Sequence, residues 1–344
     1  MGKQHEEQIE IVVVEVAGRK KDEHNIIMSK FEHHFASSSS SSSLSNKIVM
    51  KEWKILKNDL PHDSIYVRVL RRPAGTPYHD GLFFFDIQLP TDYPNSPPSV
   101  YYRSLGIRLN PNLYYNGKVC LSLLNTWHGN KTESWNPSQS TVLQVLFSLQ
   151  GLVLNANPLF NEPVLTKLFG ASKTSSSWKK PSMHYDEQVF MLSLRTMLRL
   201  LRTPPKHFED FVAQHFRERD KIILAACKAY MSGRLRIGED LQHIINQPST
   251  TTAARKVEFL NSIEKIYPKL FKAFLNNGSS GLDEHLVGRH YNPEDYDEVD
   301  DDINLEATVE LSPGCQLVGL LCVSCVVIGF GFLVEYILSP RRSD

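Results

Sequence analysis

Apolar positions recur at helical spacing in several stretches of the chain and alternate with polar ones in others. Val49, Trp53, Leu56 and Leu60 are four, three and four positions apart, so they share one face of a helix. Pro61 ends that helix, because proline lacks the N–H and crowds the preceding turn. Ile65 to Leu70 alternates apolar and polar residues and predicts a strand. Leu82 to Leu89 predicts a second strand, rich in phenylalanine, after the turn signals Gly75-Thr76-Pro77 and Asp80-Gly81. Val100 to Tyr102 predicts a third, short one. Between them, the three prolines of Tyr93-Pro94-Asn95-Ser96-Pro97-Pro98 exclude helix and predict an extended loop. From Ser140 to Leu154, the residues Leu143, Leu146, Phe147, Leu149, Val153 and Leu154 return at helix-like intervals, and Asn157-Pro158 breaks the run. Residues 169–182 are rich in Ser and Lys and read as a loop. Helices follow over Tyr185 to Leu201 and Phe208 to Met231, separated by Thr203-Pro204-Pro205, and a shorter one over Phe259 to Leu275.

The two ends differ from this middle. Residues 1–46 read as a poorly ordered arm, because the serine run Ser37 to Ser43 buries no apolar surface. Within it, Ile11 to Val14 is a short β-branched run with strand character. A compact domain with a helical extension is expected over 47–245, and a partly helical, then acidic, segment over 246–316. Glu294 to Glu310 holds nine acidic residues and no basic one, the pattern of a solvated linker. Leu317 to Val334 is then 18 residues without a charge. As a helix it would measure about 27 Å, close to the ~30 Å hydrocarbon thickness of a bilayer. A transmembrane tail anchor over 317–338 is expected, which would leave the main domain in the cytosol. A helix packed on the domain and a lipid-modified tail are the other readings.

Composition narrows the function. Lys plus Arg and Asp plus Glu each number 38, so zero net charge gives no general case for nucleic acid as a partner. The five cysteines, Cys120, Cys227, Cys315, Cys322 and Cys325, do not suggest a disulfide scaffold, and a reducing compartment is expected for the main domain. None lies at zinc-ligand spacing with histidines. The N-terminus carries Lys3 and several Glu without a long apolar core, so no secretory signal is expected. Neither a metal nor a cofactor is called for.

The chemistry concentrates in Asn110-Pro111-Asn112-Leu113-Tyr114-Tyr115-Asn116-Gly117-Lys118-Val119-Cys120-Leu121-Ser122-Leu123-Leu124. One cysteine stands eight residues after Asn112, with turn residues before it and an apolar run after it. A thiol so placed, with an amide side chain close by, can carry an acyl group as a thioester. On residue type alone, a lone cysteine is more often a buried structural residue. A cysteine protease would need a paired histidine, and the nearest is His128.

The segment resembles the active-site motif of ubiquitin-conjugating enzymes in Pro111, Asn112, Gly117, Val119, Cys120 and Leu121. Thr76-Pro77-Tyr78-His79-Asp80-Gly81 resembles that family's turn before its central strand. Asp92-Tyr93-Pro94 with Pro97-Pro98 resembles its proline-rich loop, and Trp135-Asn136-Pro137 its tryptophan loop. These motifs lie in the family's order across 47–165. The variant most similar is the group of large hybrid conjugating enzyme–ligases, which carry Asn at the position of Asn110 and an insertion like Asn125-Thr126-Trp127-His128-Gly129. The resemblance implies an α+β fold: an antiparallel sheet of about four strands flanked by helices, with extra C-terminal helices.

It also implies roles. Cys120 would accept ubiquitin from a ubiquitin-activating enzyme as a glycyl thioester, and a substrate lysine would then take it. Asn112 would stabilise the oxyanion, hold the loop to the backbone, or do both. Asn161 or Glu162 lies near the family's gating acidic position, and Glu162 could equally be a plain surface charge. Ser122 stands where many relatives have Asp. Partners would be ubiquitin, the activating enzyme, protein substrates and a ubiquitin ligase. Asn95 replaces an aromatic residue of many ligase-docking relatives, which suggests weak docking. A second departure is larger. Between Val69 and Pro77 the family has about a dozen more residues, forming one strand. Its loss predicts a sheet with an exposed edge and puts in question the face that binds a second ubiquitin. A non-catalytic ubiquitin-binding scaffold is therefore the alternative function.

Overall fold

In the computed structural model, which describes residues 10–16, 67–68, 76–127, 131–162, 176–206, 208–237 and 257–282, one strand divides the molecule into two cores. Strand β3 is Leu82–Gln88, and all its residues but the last are buried. Successive side chains of a strand point to opposite faces. Phe83, Phe85 and Ile87 enter a core with Tyr102, Leu113, Val145 and Leu149. Leu82 and Phe84 enter another with Phe190, Phe208 and Phe216. This two-sided burial explains why the stretch reads as a nearly continuous apolar run. The buried carboxylate of Asp86 on the same strand is met by Arg103, whose Nε lies 3.2 Å from Oδ2.

The sheet has four strands: β1 (Glu10–Val16), β2 (Val67–Arg68), β3, and β4 (Ser99–Tyr102), in the spatial order β2-β1-β3-β4. The expected α+β class holds. Two pairings are antiparallel: β1 with β2 (Val12↔Arg68, Val13↔Val67) and β3 with β4 (from Phe85↔Tyr102 to Gln88↔Ser99). The third, β1 with β3, is parallel and in register from Glu10↔Leu82 to Val16↔Gln88.

That parallel pairing bears on two expectations. The run Ile11 to Val14, read as having strand character, lies in the strand Glu10–Val16, and the edge left by the short Val69 to Gly75 connection is paired rather than exposed. The reason is backbone hydrogen bonding. The N–H and C=O groups of a buried strand need partners, and the β-branched run Ile11 to Val14 suits an extended neighbour. A strand arriving from the N-terminus can lie beside β3 without a tight turn, so its direction is not set by a hairpin.

Helix α1 (Val142–Ser148) begins at a capping box, in which Thr141 and Gln144 each bond the other's backbone N–H. It continues as a π-helical turn, Leu149–Val153. Helices α2 (Ser176–Arg202), α3 (Glu209–Met231) and α4 (Val257–Asn276) pack on one another and close the Leu82/Phe84 face of the sheet. Phe84 and Phe208 meet edge to face at 5.4 Å. Helix α2 starts at Ser176, inside the stretch 169–182 expected to be loop. Pro181 costs the helix an N–H close to its start. The Tyr93–Pro98 loop is a turn with a cis Tyr93–Pro94 bond rather than an extended segment.

A buried polar latch joins the turn before β3 to α3. His79 Nδ1 lies 2.9 Å from Asp80 Oδ2, and its Nε2 lies 2.9 Å from the Tyr230 hydroxyl. His215 Nε2 is 3.1 Å from the Asp80 carbonyl oxygen. The helix expected over 47–60, the acidic stretch 294–310 and the apolar stretch 317–338 lie outside the described residues. Among the described residues no helix is long and apolar enough to cross a membrane.

The register makes β1 an internal strand, where a proline removes a ladder hydrogen bond and is poorly tolerated. Val13→Pro is expected to lower the thermal midpoint by several degrees, at ~2–4 °C per kcal/mol for a domain of this size. A melt unchanged from wild type would take Glu10–Val16 out of the sheet. Phe84→Ala is expected to cost about 3–5 kcal/mol through the cavity between sheet and helices, read by urea unfolding.

Candidate active site

After β4 the chain reverses through Leu105 and Gly106, both in the left-handed region (φ 51° and 76°), and runs toward Asn110. Ile107 and Leu109 are buried, whereas Arg108 between them is partly exposed. The Asn110-Pro111-Asn112 turn then opens a tight loop that returns to Cys120. Leu113 bridges to both Asn110 and Val119, and Tyr101 to Lys118. Tyr114 N donates to Lys118 O at 3.0 Å, and Gly117 N to Tyr114 O at 2.9 Å. Gly117 is required twice over: its φ is 84°, and a Cβ would lie 2.0 Å from the Tyr101 ring.

Asn110, 1% exposed, holds the turn. Its Nδ2 donates to the Tyr78 hydroxyl at 2.6 Å and to Val153 O at 2.8 Å. Its Oδ1 accepts from Asn112 N at 2.8 Å and from Asn161 Nδ2 at 3.3 Å. Val153 closes the π-helical turn, where a helix leaves carbonyls without internal partners. Asn161 Nδ2 also donates to it, at 2.9 Å, and Asn155 Nδ2 donates to Asn161 Oδ1 at 2.7 Å.

Two hydrogen bonds tie Asn112 to Cys120. Cys120 N donates to Asn112 O at 2.9 Å, and Asn112 Nδ2 donates to Cys120 O at 2.8 Å. The second fixes the orientation of the amide, because a carbonyl accepts only from the nitrogen. Among the described residues, the buried Asn112 Oδ1 has no hydrogen-bond partner. Thr126 fastens the segment after the cysteine, accepting from Leu121 N at 3.0 Å and donating to Val119 O at 2.8 Å.

Cys120 is a free thiol, and the residue is 2% exposed. Burial pushes its pKa up; Lys118, a hydrogen bond from Tyr114 and Arg108 pull the other way. No histidine is among these groups, and His128, the partner a protease would need, lies outside the described residues. Arg108 Cζ stacks over the Tyr114 ring at 4.8 Å, and Lys118 Nζ lies 5.9 Å from the same centroid. Arg108 Nη2 is 3.6 Å from Glu162 Oε1. Burial raises the Glu162 carboxyl, and Arg108 lowers it.

The structure brings Cys120 and Asn112 together. It also separates Asn161 from Glu162: Asn161 belongs to the Asn110 network, while Glu162 faces Arg108 and Tyr114. Ser122 lies in the 3₁₀ turn Ser122–Leu124. Asn95 is exposed, with its N–H on Asp92 O at 2.8 Å. The tryptophan and proline loops meet where Trp135 Nε1 donates to Pro94 O at 2.6 Å. Sequence reasoning missed Arg108, and it gave no separate role to Tyr78 or Tyr114. The available signal was the break in apolar alternation at Arg108, between Ile107 and Leu109.

Comparison with known proteins finds relatives of one kind. The family model "Ubiquitin-conjugating enzyme" matches residues 41–196. Probable ubiquitin-conjugating enzyme E2 23 of Arabidopsis thaliana is 48% identical over 246 residues, which are 68% of this chain and 22% of that protein. Putative ubiquitin-conjugating enzyme E2 38 of the same plant is 52% identical over 198 residues, 54% of this chain and 59% of that protein. The mouse dual E2 ubiquitin-conjugating enzyme/E3 ubiquitin-protein ligase BIRC6 is 35% identical over 246 residues, 68% of this chain and 5% of that protein. The chain thus spans less than two thirds of each of these relatives.

A buried amide using all its hydrogen-bonding capacity is expensive to replace, at about 1–3 kcal/mol for each polar group left unsatisfied. Asn110→Ala takes the Asn110 partner from Tyr78 and Asn112 N, while Val153 O keeps Asn161 Nδ2. Urea unfolding is expected to show a larger loss for Asn110→Ala than for Asn110→His, which can restore two of the contacts.

Proposed function

Residues 41–196 belong to the ubiquitin-conjugating enzyme family of transferases, and on that basis we propose that Cys120 carries ubiquitin as a thioester and passes it to lysine. The Cys120 thiolate attacks the glycyl carbonyl held by the activating enzyme, a new C–S bond forms, and the activating enzyme's sulfur leaves as thiolate. A neutral lysine amine of the substrate then attacks the same carbonyl. The C–S bond to Cys120 breaks, the sulfur leaves as thiolate, and the amine releases its proton.

The observation that carries this reading is the pair of hydrogen bonds between Asn112 and Cys120. They hold the amide against the Cys120 backbone, and among the described residues only one N–H of Nδ2 is spent, on Cys120 O. The other is free to meet the developing oxyanion. Glu162 is the nearby carboxylate proposed to receive or orient the amine, from a position beside Arg108 and Tyr114. Ubiquitin, the activating enzyme and protein substrates are the proposed partners. The polar, exposed Asn95 fits weak ligase docking. Both faces of β3 are buried, which leaves that strand no open face for a second ubiquitin. Leu317 to Val334 is proposed to anchor the cytosolic domain in a membrane.

One observation favours the alternative of a ubiquitin-binding scaffold: a residue 2% exposed must be uncovered before it can react. The two readings separate in one experiment. Full-length protein incubated with activating enzyme, ATP and ubiquitin is expected to form a reductant-sensitive adduct that Cys120→Ala abolishes. Asn112→Ala is expected to charge but to discharge to lysine about 10²–10³-fold more slowly. Folded protein that binds ubiquitin without forming an adduct would leave the scaffold. For the tail, extraction of membranes with alkaline carbonate is expected to leave the full chain in the pellet and to release a chain ending before Leu317.

A further inference from the structure

One tight turn, where α2 meets the chain on its way to Asn110, has an unsuitable residue for its shape. Ile107 N donates to Ser104 O at 2.9 Å, which closes a four-residue turn over Ser104–Ile107. Its two central residues, Leu105 and Gly106, both have positive φ, 51° and 76°, the mark of a type I′ turn. Glycine, asparagine and aspartate suit the first central position of such a turn, whereas a leucine Cβ crowds the following carbonyl there. Leucine keeps this shape only where the surroundings hold it.

Arg199 of α2 supplies that hold. Its Nη1 donates to the Leu105 carbonyl, 94 residues away in the chain, and a Cβ added at Gly106 would lie 3.6 Å from the same nitrogen. The Leu105 side chain packs on the core of the C-terminal helices. At the start of the turn, the Ser104 hydroxyl donates to Tyr115 O, inside the Asn110–Cys120 loop, and accepts from Gly106 N at 3.2 Å. Ser104 is buried, where a hydrogen bond left unmade is costly. An arginine–carbonyl bond, a left-handed leucine and a buried hydroxyl thus join α2 to the loop that ends at Cys120.

We propose that Arg199 is a positioning residue for Cys120. By bonding Leu105 O it keeps the turn left-handed, which places Ser104 Oγ against Tyr115 O and fixes the start of the loop at Asn110 relative to its middle at Tyr115. The helical extension thereby sets how the thiol is presented, beyond lending stability to the sheet. A guanidinium suits this task because it stays charged at every working pH, and a charged donor makes the stronger bond to a carbonyl. Its effect on ubiquitin transfer rests on the reading that Cys120 carries the thioester, whereas its effect on the loop does not.

The test is hydrogen–deuterium exchange on the full-length protein, read on peptides covering 113–120, where the Leu113, Gly117 and Cys120 amides donate within the loop. Arg199→Met keeps an unbranched stem and removes the donor. It is expected to raise exchange of these peptides about tenfold, the loss of one charge-assisted bond. Arg199→Lys, which still donates, is expected to stay close to wild type. Ser104→Ala is expected to act in the same direction, and the double variant to add little to the larger single effect. Leu105→Asn in the Arg199→Met background is expected to restore protection, because asparagine accepts the left-handed conformation; a packing defect would worsen instead. Ile263→Val, in the same helical core, is expected to lower the urea midpoint without raising exchange of the loop. Unchanged exchange in Arg199→Met, additive effects of Arg199→Met and Ser104→Ala, or further loss with Leu105→Asn would overturn the proposal. Single-turnover charging with activating enzyme, ATP and ubiquitin is expected to slow by a similar factor in Arg199→Met and to recover in Arg199→Lys; charging at the wild-type rate in Arg199→Met would overturn its role in presenting the thiol. The expected exchange shifts, with no adduct on the wild-type protein, would instead reject the thioester reading and leave the hold of Arg199 on the loop standing.

Discussion

The position of the Cys120 thiol depends on one buried amide. Asn110 has two N–H donors and an oxygen with two lone pairs, and the structure uses all four: Tyr78 and Val153 on the nitrogen, Asn112 and Asn161 on the oxygen. A neutral imidazole offers one donor and one acceptor, so a histidine could join only two of these partners. Asparagine therefore suits a site where a π-helical turn presents an extra carbonyl and a second asparagine reaches in. Through its bond to Asn112 N, Asn110 sets the residue that holds Cys120 by two further bonds. A change at Asn110 is felt at the sulfur without touching it.

The same turn that reaches Asn110 also reaches the C-terminal helices. Tyr78 points to the hub, the neighbouring His79 meets Tyr230 on α3, and the Asp80 carbonyl meets His215 on the same helix. Strand β3 follows at once, with Phe83 and Phe85 in the core shared with the Asn110–Cys120 loop and Leu82 and Phe84 in the core shared with the helices. The helical extension is thus part of the support for the site. Without α3 and α4, Leu82 and Phe84 would face water, and the latch would lose the partners that pair its buried polar atoms.

What the sequence revealed follows from how local each feature is. Cys120 and Asn112 were legible because eight residues of loop bring them together, and that spacing is visible in the chain. Helices α1 to α4 were legible from apolar periodicity, with errors at boundaries where composition misled: Ser176 to Pro181 looks like loop yet is helix. The role of Glu10–Val16 was not legible, because its partners Val67 and Leu82 are far away in sequence and nothing local specifies a parallel neighbour. The contact between Arg108 and Glu162 was hidden for the same reason. Adjacent residues Asn161 and Glu162 could not be told apart by alignment, but geometry separates them, since one turns to Asn110 and the other to Arg108.

Among the described residues, no donor meets the buried side-chain oxygen of Asn112. A buried acceptor without a donor costs about 1–3 kcal/mol, and a freely rotating amide would find a partner or turn toward water. Here it cannot turn, because its nitrogen is held against the Cys120 carbonyl and its backbone is held by Asn110. The cost of the stranded oxygen is the counterpart of a nitrogen aimed in a fixed direction. For the proposed acyl transfer such fixation is an advantage, since a donor that needs no reorganisation when charge develops is worth more than one that must be recruited.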